Sequence, residues 1–140
     1  MHGVNLDQLG RRDPIHYGGL SLDALERQVA EMAAGLGLET RFFQSNQEGE
    51  FVEHLHRAED LADGLVLNPG AWTHYSYAIR DALELAALPA VEVHLSHVNA
   101  REEWRRHSVI RELCLTHVAG KGVEGYRDAL SRLARELESL

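Results

Sequence analysis

An α/β fold built on a doubly wound parallel sheet follows from three observations in this 140-residue sequence. Short apolar runs alternate with amphipathic stretches of helical period, the βαβ pattern that places helices on both faces of a parallel sheet. Residues 91–95 alternate Val91, Val93 and Leu95 with Glu92 and His94, and Ser96 continues the polar set, so one face of a strand carries chemistry. A loop holding Arg101, Arg105 and Arg106 follows directly. Ligands of open α/β sheets bind beyond the carboxyl ends of the strands. An acid, an imidazole, a hydroxyl and several guanidinium groups gathered there point to chemistry on a small anionic molecule.

Taken in order, residues 1–20 are glycine-rich and polar without a regular period, and read as a loop. Leu22, Leu25, Val29, Met32 and Leu36 recur every three or four residues, the apolar stripe of a helix. Ser21 suits its N-cap, and Gly35 or Gly37 its stop. Residues 38–43 read as a strand, and Phe51, Val52, Leu55 and Ala58 as a second helical face. Leu65, Val66 and Leu67 form a short buried strand halted by the turn signal Asn68-Pro69-Gly70. Thr73 can cap a helix with the inner face Ala78, Ile79, Ala82, Leu83 and Ala86, which Pro89 closes before the strand at 91–95. Residues 114–119 give the last strand, and Tyr126, Ala129, Leu130, Leu133 and Leu137 a final amphipathic helix. No repeat, low-complexity stretch or second domain interrupts residues 1–140. Met1-His2-Gly3 cannot supply an opening strand of the usual ~5–6 residues, so the expected sheet is short of its first strand.

A chain of this length, 44% hydrophobic and 26% charged, can bury roughly 68–70% of its unfolded surface as one domain. Its net charge of −8 argues against nucleic acid or an anionic membrane as partner. The lone Cys114 cannot form an internal disulfide and sits in an apolar run, which fits a buried small hydrophobe in a reducing cytoplasm. No apolar run reaches the ~18 residues of a membrane span. The glycine-rich opening lacks GxGxxG and so is no dinucleotide fingerprint. His54 and His56, two apart on a helix, do not share a face; His16, His107 and His117 read as solvated or structural imidazoles. Glu92, His94 and His97 could be taken for metal ligands, but strand alternation sends residues 94 and 97 to opposite faces.

Four polar blocks, in order, make the chain resemble type II 3-dehydroquinate dehydratase. They are GVNLDQLGRRDPIHYG from Gly3, QSNQEGEFVEHLH from Gln44, NPGAWTHYSYAIRDAL from Asn68, and EVHLSHVNARE from Glu92 with RRHS after it. The resemblance implies a flavodoxin-like sheet of order 2-1-3-4-5 and conversion of 3-dehydroquinate to 3-dehydroshikimate by trans elimination through an enolate. It implies no metal or organic cofactor, and a dodecamer built as a tetramer of trimers. The reaction would serve the shikimate pathway of aromatic biosynthesis or quinate breakdown.

Residue by residue, Tyr17 matches the general base and Arg12 the arginine beside it. A free tyrosine ionises near pH 10, and a neighbouring cation favours the phenolate. Asn5 matches the asparagine that holds the enolate oxyanion and its water. His94 matches the general acid, and Glu92 on the same strand face can orient and charge it. Asn68, Leu95 and Ser96 match substrate-carboxylate positions, His74 and Arg105 the contacts to ring hydroxyls, Arg101 a mobile or supporting arginine. Asp81 matches an aspartate that reaches into a neighbouring subunit's site. Lys121, the only lysine, lies in a glycine-rich turn, which disfavours an imine route. Val4 stands where the family has proline, and Thr116, His117 and Lys121 where it has apolar residues or glycine. Two rival readings remain: a paralogue that assembles and binds a ligand without turnover, and a metal-assisted hydrolase.

Overall fold

The computed structural model describes all 140 residues. Residues 1–20, expected as loop, contain regular structure: a 3-10 helix at Leu6–Arg11 and one helical turn, α1, at Pro14–Tyr17. Leu6 and Leu9 are buried under the first, while the Asp13 side chain accepts a hydrogen bond from the Ile15 N–H at 2.9 Å ahead of Pro14. An Asp cap followed by proline presets a helical start. Elements of one or two turns are too short to register as a period.

Helix α2, Leu22–Ala34, begins as the sequence predicts, with the Ser21 hydroxyl accepting from the Ala24 N–H at 3.1 Å. It ends at Gly35, and Leu36, expected on its stripe, is exposed beyond that end. Helix α3, Glu48–His56, buries Phe51 and Leu55; Ala58 belongs to a separate turn, α4, at Ala58–Leu61. Strand β1 is Leu65–Leu67, followed by a 3-10 turn, Gly70–His74, and helix α5, Tyr77–Ala86. The cap of α5 is Ser76, whose hydroxyl accepts from Ile79 N–H at 3.1 Å. Thr73, the expected cap, instead turns its hydroxyl to Glu92. Ala78 lies outside the buried face of α5, which is Ile79, Ala82, Leu83 and Ala86. Strand β2, Ala90–His94, is wholly buried; β3, Thr116–Ala119, starts two residues later than expected; α6, Glu124–Glu138, closes the fold.

The sheet runs β1-β2-β3, all parallel, with Leu67 opposite Glu92 and Glu92 opposite His117. Residues 38–43 do not form the expected strand. Only the next residue, Gln44, pairs, in parallel with His2, which pairs on its other side with Asn68. Met1–Gly3 thus stands between those two segments, as the 2-1-3 order requires. A strand forms only where a neighbour satisfies its backbone, and this neighbour is three residues long.

Val91, Val93 and Leu95 point into a core with α2, α6 and the first 3-10 helix. Leu65, Leu67 and Ala90 point into a second core with α3 and α5. Alternation along β2 puts Glu92 and His94 on the face opposite Val91 and Val93. The 3–5 and 68–70 segments meet at backbone distance: a Cβ on Gly3 would lie 2.1 Å from the Pro69 carbonyl oxygen. Gly3→Ala is therefore expected to destabilise the fold by more than about 1 kcal/mol, while Gly49→Ala, in the first turn of α3 with a Cβ that meets nothing within 4 Å, is expected to hold or raise Tm. Thermal denaturation of the two variants compares them.

Candidate active site

Beyond the carboxyl ends of β1 and β2 lies a cavity of about 130 Å³. Asn5, Arg12 and Tyr17 from the first loop, Asn68 and His74 after β1, and His94, Leu95, Ser96, Arg101 and Arg105 around the end of β2 all line it. Ten of the twelve residues expected at the site thus converge. Glu92 stands behind His94, fully buried, and Asp81 lies outside, exposed on α5. The lining holds three guanidinium groups and no carboxylate, so the cavity selects an anion. A larger cavity of about 610 Å³ contains none of these groups.

Glu92 organises the His94 end of the cavity. Its Oε2 receives the Thr73 hydroxyl and lies 2.6 Å from Nε2 of His94, and its Oε1 accepts from Ser108 Oγ at 2.7 Å. Burial alone would raise its pKa, but hydrogen bonding and charge from His94, with the two hydroxyls, outweigh that and hold the carboxyl down at about 2. An ionised Glu92 fixes the His94 ring and leaves Nδ1 as its unengaged nitrogen.

The Tyr17 side chain is nearly buried between two arginines. Arg101 Nη1 donates to its oxygen at 2.7 Å and to Ser96 Oγ at 3.3 Å. The Arg12 guanidinium, expected beside Tyr17, lies 4.0 Å above its ring centroid. Its five-residue spacing from Tyr17 spans the α1 turn, which places Arg12 over the ring face.

His74 Nδ1 lies 2.6 Å from the His107 carbonyl oxygen, an acceptor only, so Nδ1 carries the proton. Burial, with opposing help from that carbonyl and then the charges of His94 and Arg105, lowers its pKa below the usual histidine range. Nε2 is then an acceptor for a ligand hydroxyl. Trp104 packs edge-on against His74 at 5.2 Å between centroids and under Arg105 at 4.1 Å. Asn5 adopts φ +68°, and its N–H donates to Asn46 Oδ1 at 2.8 Å.

Four supporting residues escape the sequence reading: Thr73, Ser108, Asn46 and His117. Ser108 closes the RRHS block and Asn46 lies in the second block, so both had a signal. His117 had none beyond being an imidazole in a strand, yet its register opposite Glu92 brings its Nε2 to 3.8 Å from Oε2. Burial, less the attraction of Glu92 and aided by Arg111, lowers its pKa to about 4. Glu92, His94 and His117 offer ligand atoms within 4.8 Å of one another. Both Glu92 oxygens are already hydrogen-bonded, and Arg111 Nη2 sits 3.1 Å from both His117 ring nitrogens. That donor set suits hydrogen bonding better than a cation. His97 packs instead against Gly120. Burial raises the Cys114 thiol to about 12, so it is no nucleophile at neutral pH.

The pattern matches known proteins. The family described as Dehydroquinase class II matches residues 1–134. A 3-dehydroquinate dehydratase of Pelotomaculum thermopropionicum is 49% identical, over 96% of this chain and 93% of that one. Another from Thermotoga maritima is 48% identical over 100% of this chain and 96% of its own. The crystal structure of a type II dehydroquinase from Propionibacterium acnes superposes with a TM-score of 0.90 at 42% identity, covering 96% and 92% of the two chains. The chain belongs to the class II dehydroquinase family.

The Glu92 carboxyl has a testable linkage. Its folded pKa, about 2, lies below the 4.5 of an unperturbed glutamate, so the unfolded chain binds the proton first. The stabilisation is fully present above about pH 4.5 and is lost as pH falls towards 2. Thermal melts across that window are expected to show a steeper loss of Tm for the wild type than for Glu92→Gln.

Proposed function

We propose that the chain dehydrates 3-dehydroquinate to 3-dehydroshikimate by trans elimination through an enolate, using side chains alone. One observation carries the reading: a tyrosine oxygen bound to Arg101 and a histidine bound to Glu92 open into the same cation-lined cavity. Membership of the family and the names of its relatives support the substrate.

Tyr17, as phenolate, takes the proton from the carbon beside the ketone. Arg101 at its oxygen and Arg12 over its ring stabilise negative charge there. The C–H electrons move onto the carbonyl oxygen, which Asn5 and a water receive as an oxyanion. When the enolate collapses, the β-carbon–oxygen bond breaks, and His94 protonates the departing hydroxyl so that it leaves as water. Glu92 stabilises the charged form of that imidazole before transfer. Asn68, the Ser96 hydroxyl and the amides of Leu95 and Ser96, which make no bond to another backbone group, receive the substrate carboxylate. His74 and Arg105 bind the ring hydroxyls. The reaction belongs to the shikimate pathway, and quinate breakdown uses the same step. A cytoplasmic setting is part of the proposal; no helix is long and apolar enough to cross a membrane.

The same reading makes the working unit a dodecamer, a tetramer of trimers, with Asp81 entering a neighbour's site. Tyr77, Asp81 and Leu85 stand four apart on one exposed face of α5, and Tyr77 and Leu85 are 65% and 73% exposed. Such apolar exposure beside an acid suits an association surface.

Tyr17→Phe and His94→Ala are each expected to lower kcat about 10²–10⁴-fold with folding intact, followed by absorbance growth of the conjugated enone. Wild-type turnover in Tyr17→Phe would refute the base assignment. Arg101→Ala is expected to move the base limb of the pH–rate profile upward further than Arg12→Ala. Light scattering is expected to give twelve chains per particle, and Asp81→Ala to raise KM more than it lowers kcat; a monomer at full activity would remove the role of Asp81.

A further inference from the structure

The proposed reaction leaves one titratable group beside Glu92 without a task. His117 lies directly opposite Glu92 in the pairing of β2 with β3, so both side chains leave the same face of the sheet. Its Nε2 is 3.8 Å from Glu92 Oε2, the oxygen that also meets Nε2 of His94 at 2.6 Å. The His94 and His117 rings stand 5.4 Å apart between centroids, tilted by 44°. His117 does not line the cavity that holds His94. Any effect it has on a ligand there must pass through Glu92 and His94.

The polarity of the His117 ring is set from its other side. Arg111, in the turn Arg111–Leu113, brings Nη2 to 3.1 Å from both ring nitrogens. A guanidinium only donates, so the nitrogen it binds is an acceptor and the ring proton sits on the other. With Arg111 on Nδ1, the Nε2–H faces Oε2. At 3.8 Å that N–H makes no hydrogen bond, since Thr73 and His94 already occupy Oε2. It acts as an oriented dipole with the Arg111 cation behind it. The same turn reaches the other carboxylate oxygen: Arg111 N–H donates to Ser108 Oγ at 3.1 Å, and Ser108 donates to Oε1 at 2.7 Å. Burial keeps the ring neutral, with its pKa at about 4; Glu92 pulls that value up, while Arg111 and His94 push it down. Close to Glu92, Cys114 stays neutral up to about 12, and His74 stands beyond His94 at 6.5 Å between centroids.

We propose that His117 is a positioning residue for His94: with Arg111 it draws part of the Glu92 charge away from the imidazolium, so that His94 releases its proton more readily. This rests on His94 acting as the acid of the proposed reaction. A carboxylate shared with a second positive group holds its partner's proton less tightly. An apolar side chain at this position would leave His94 as the only cationic partner of Oε2, and a weaker acid.

The experiment compares His117→Val, which removes both the N–H and the acceptor for Arg111, with His117→Gln, whose amide restores both. His117→Val is expected to move the alkaline limb of the pH–rate profile up by about half a unit. It is expected to lower kcat about two- to fivefold with KM unchanged. Arg111→Ala, also outside the cavity, is expected to act in the same direction, and His117→Gln to keep the wild-type profile. An unchanged profile in His117→Val, or a Gln variant that behaves like Val, would overturn the proposal. Thermal melts read the same ring without turnover. An unfolded histidine takes its proton near pH 6.5 and folded His117 at about 4, so its share of the stability is lost as pH falls through that window. The wild type is expected to lose Tm there more steeply than His117→Gln. Equal slopes would overturn the role of His117 alone, whereas an inactive wild type would overturn the assigned reaction and this role together.

Discussion

A single buried carboxylate sets the geometry around His94. Glu92 occupies the middle of the central strand, where an unpaired charge would be costly. It is tolerated because Thr73, Ser108 and His94 converge on its two oxygens from three different segments. The same bonds that satisfy the charge tie the 70–74 turn, the 105–108 loop and the end of β2 to one point. Those segments carry His74, Arg105 and His94. Removing one partner of a buried pair of this kind typically costs about 3–5 kcal/mol, so the site and the local fold stand together.

The Tyr17 end of the cavity, the proposed base, is built differently. Tyr17 is carried by a short helical turn rather than by the sheet, and no carboxylate lines the cavity around it. Two guanidinium groups meet it, Arg101 with a hydrogen bond to the oxygen and Arg12 over the ring. Arg101 also binds Ser96, which lies on the far side of the cavity next to His94. An anion in the cavity would compete for that arginine, so occupancy of the site and the electrostatics around Tyr17 are coupled through one side chain. His94 is fixed by a buried carboxylate, and Tyr17 by two guanidinium groups.

What the sequence made legible follows from range. Local signals held: Ser21 caps α2, the Asn68-Pro69-Gly70 signal ends β1, and alternation along β2 puts Glu92 and His94 on one face. The four polar blocks identified nearly every residue that lines the cavity. Contacts set by register or by a turn's rotation were not legible. His117 reaches Glu92 only because β3 pairs with β2 in that alignment. Arg101, expected only as a mobile or supporting arginine, is the group that donates to the Tyr17 oxygen, while Arg12 lies over the ring. Thr73 looks like a helix cap, and becomes a ligand of Glu92 because Ser76 provides the cap three residues later.

The two cavities meet in one short segment, and this relates the fold to the chemistry. Met1–Gly3 makes the last strand-like pairings beside the larger cavity, and two residues further on Asn5 holds its left-handed turn. Gly3 against Pro69 and Gly70 against the Val4 carbonyl leave no room between the two loops. The Asn46 side chain bonds the Asn5 N–H and links this turn to the segment after residues 38–43. Asn5 is therefore held in a turn packed between the 68–70 loop and Asn46. Preorganised donors act by not moving when charge develops. The stiffness of Asn5 in its proposed role then depends on how firmly the sheet holds Met1–Gly3.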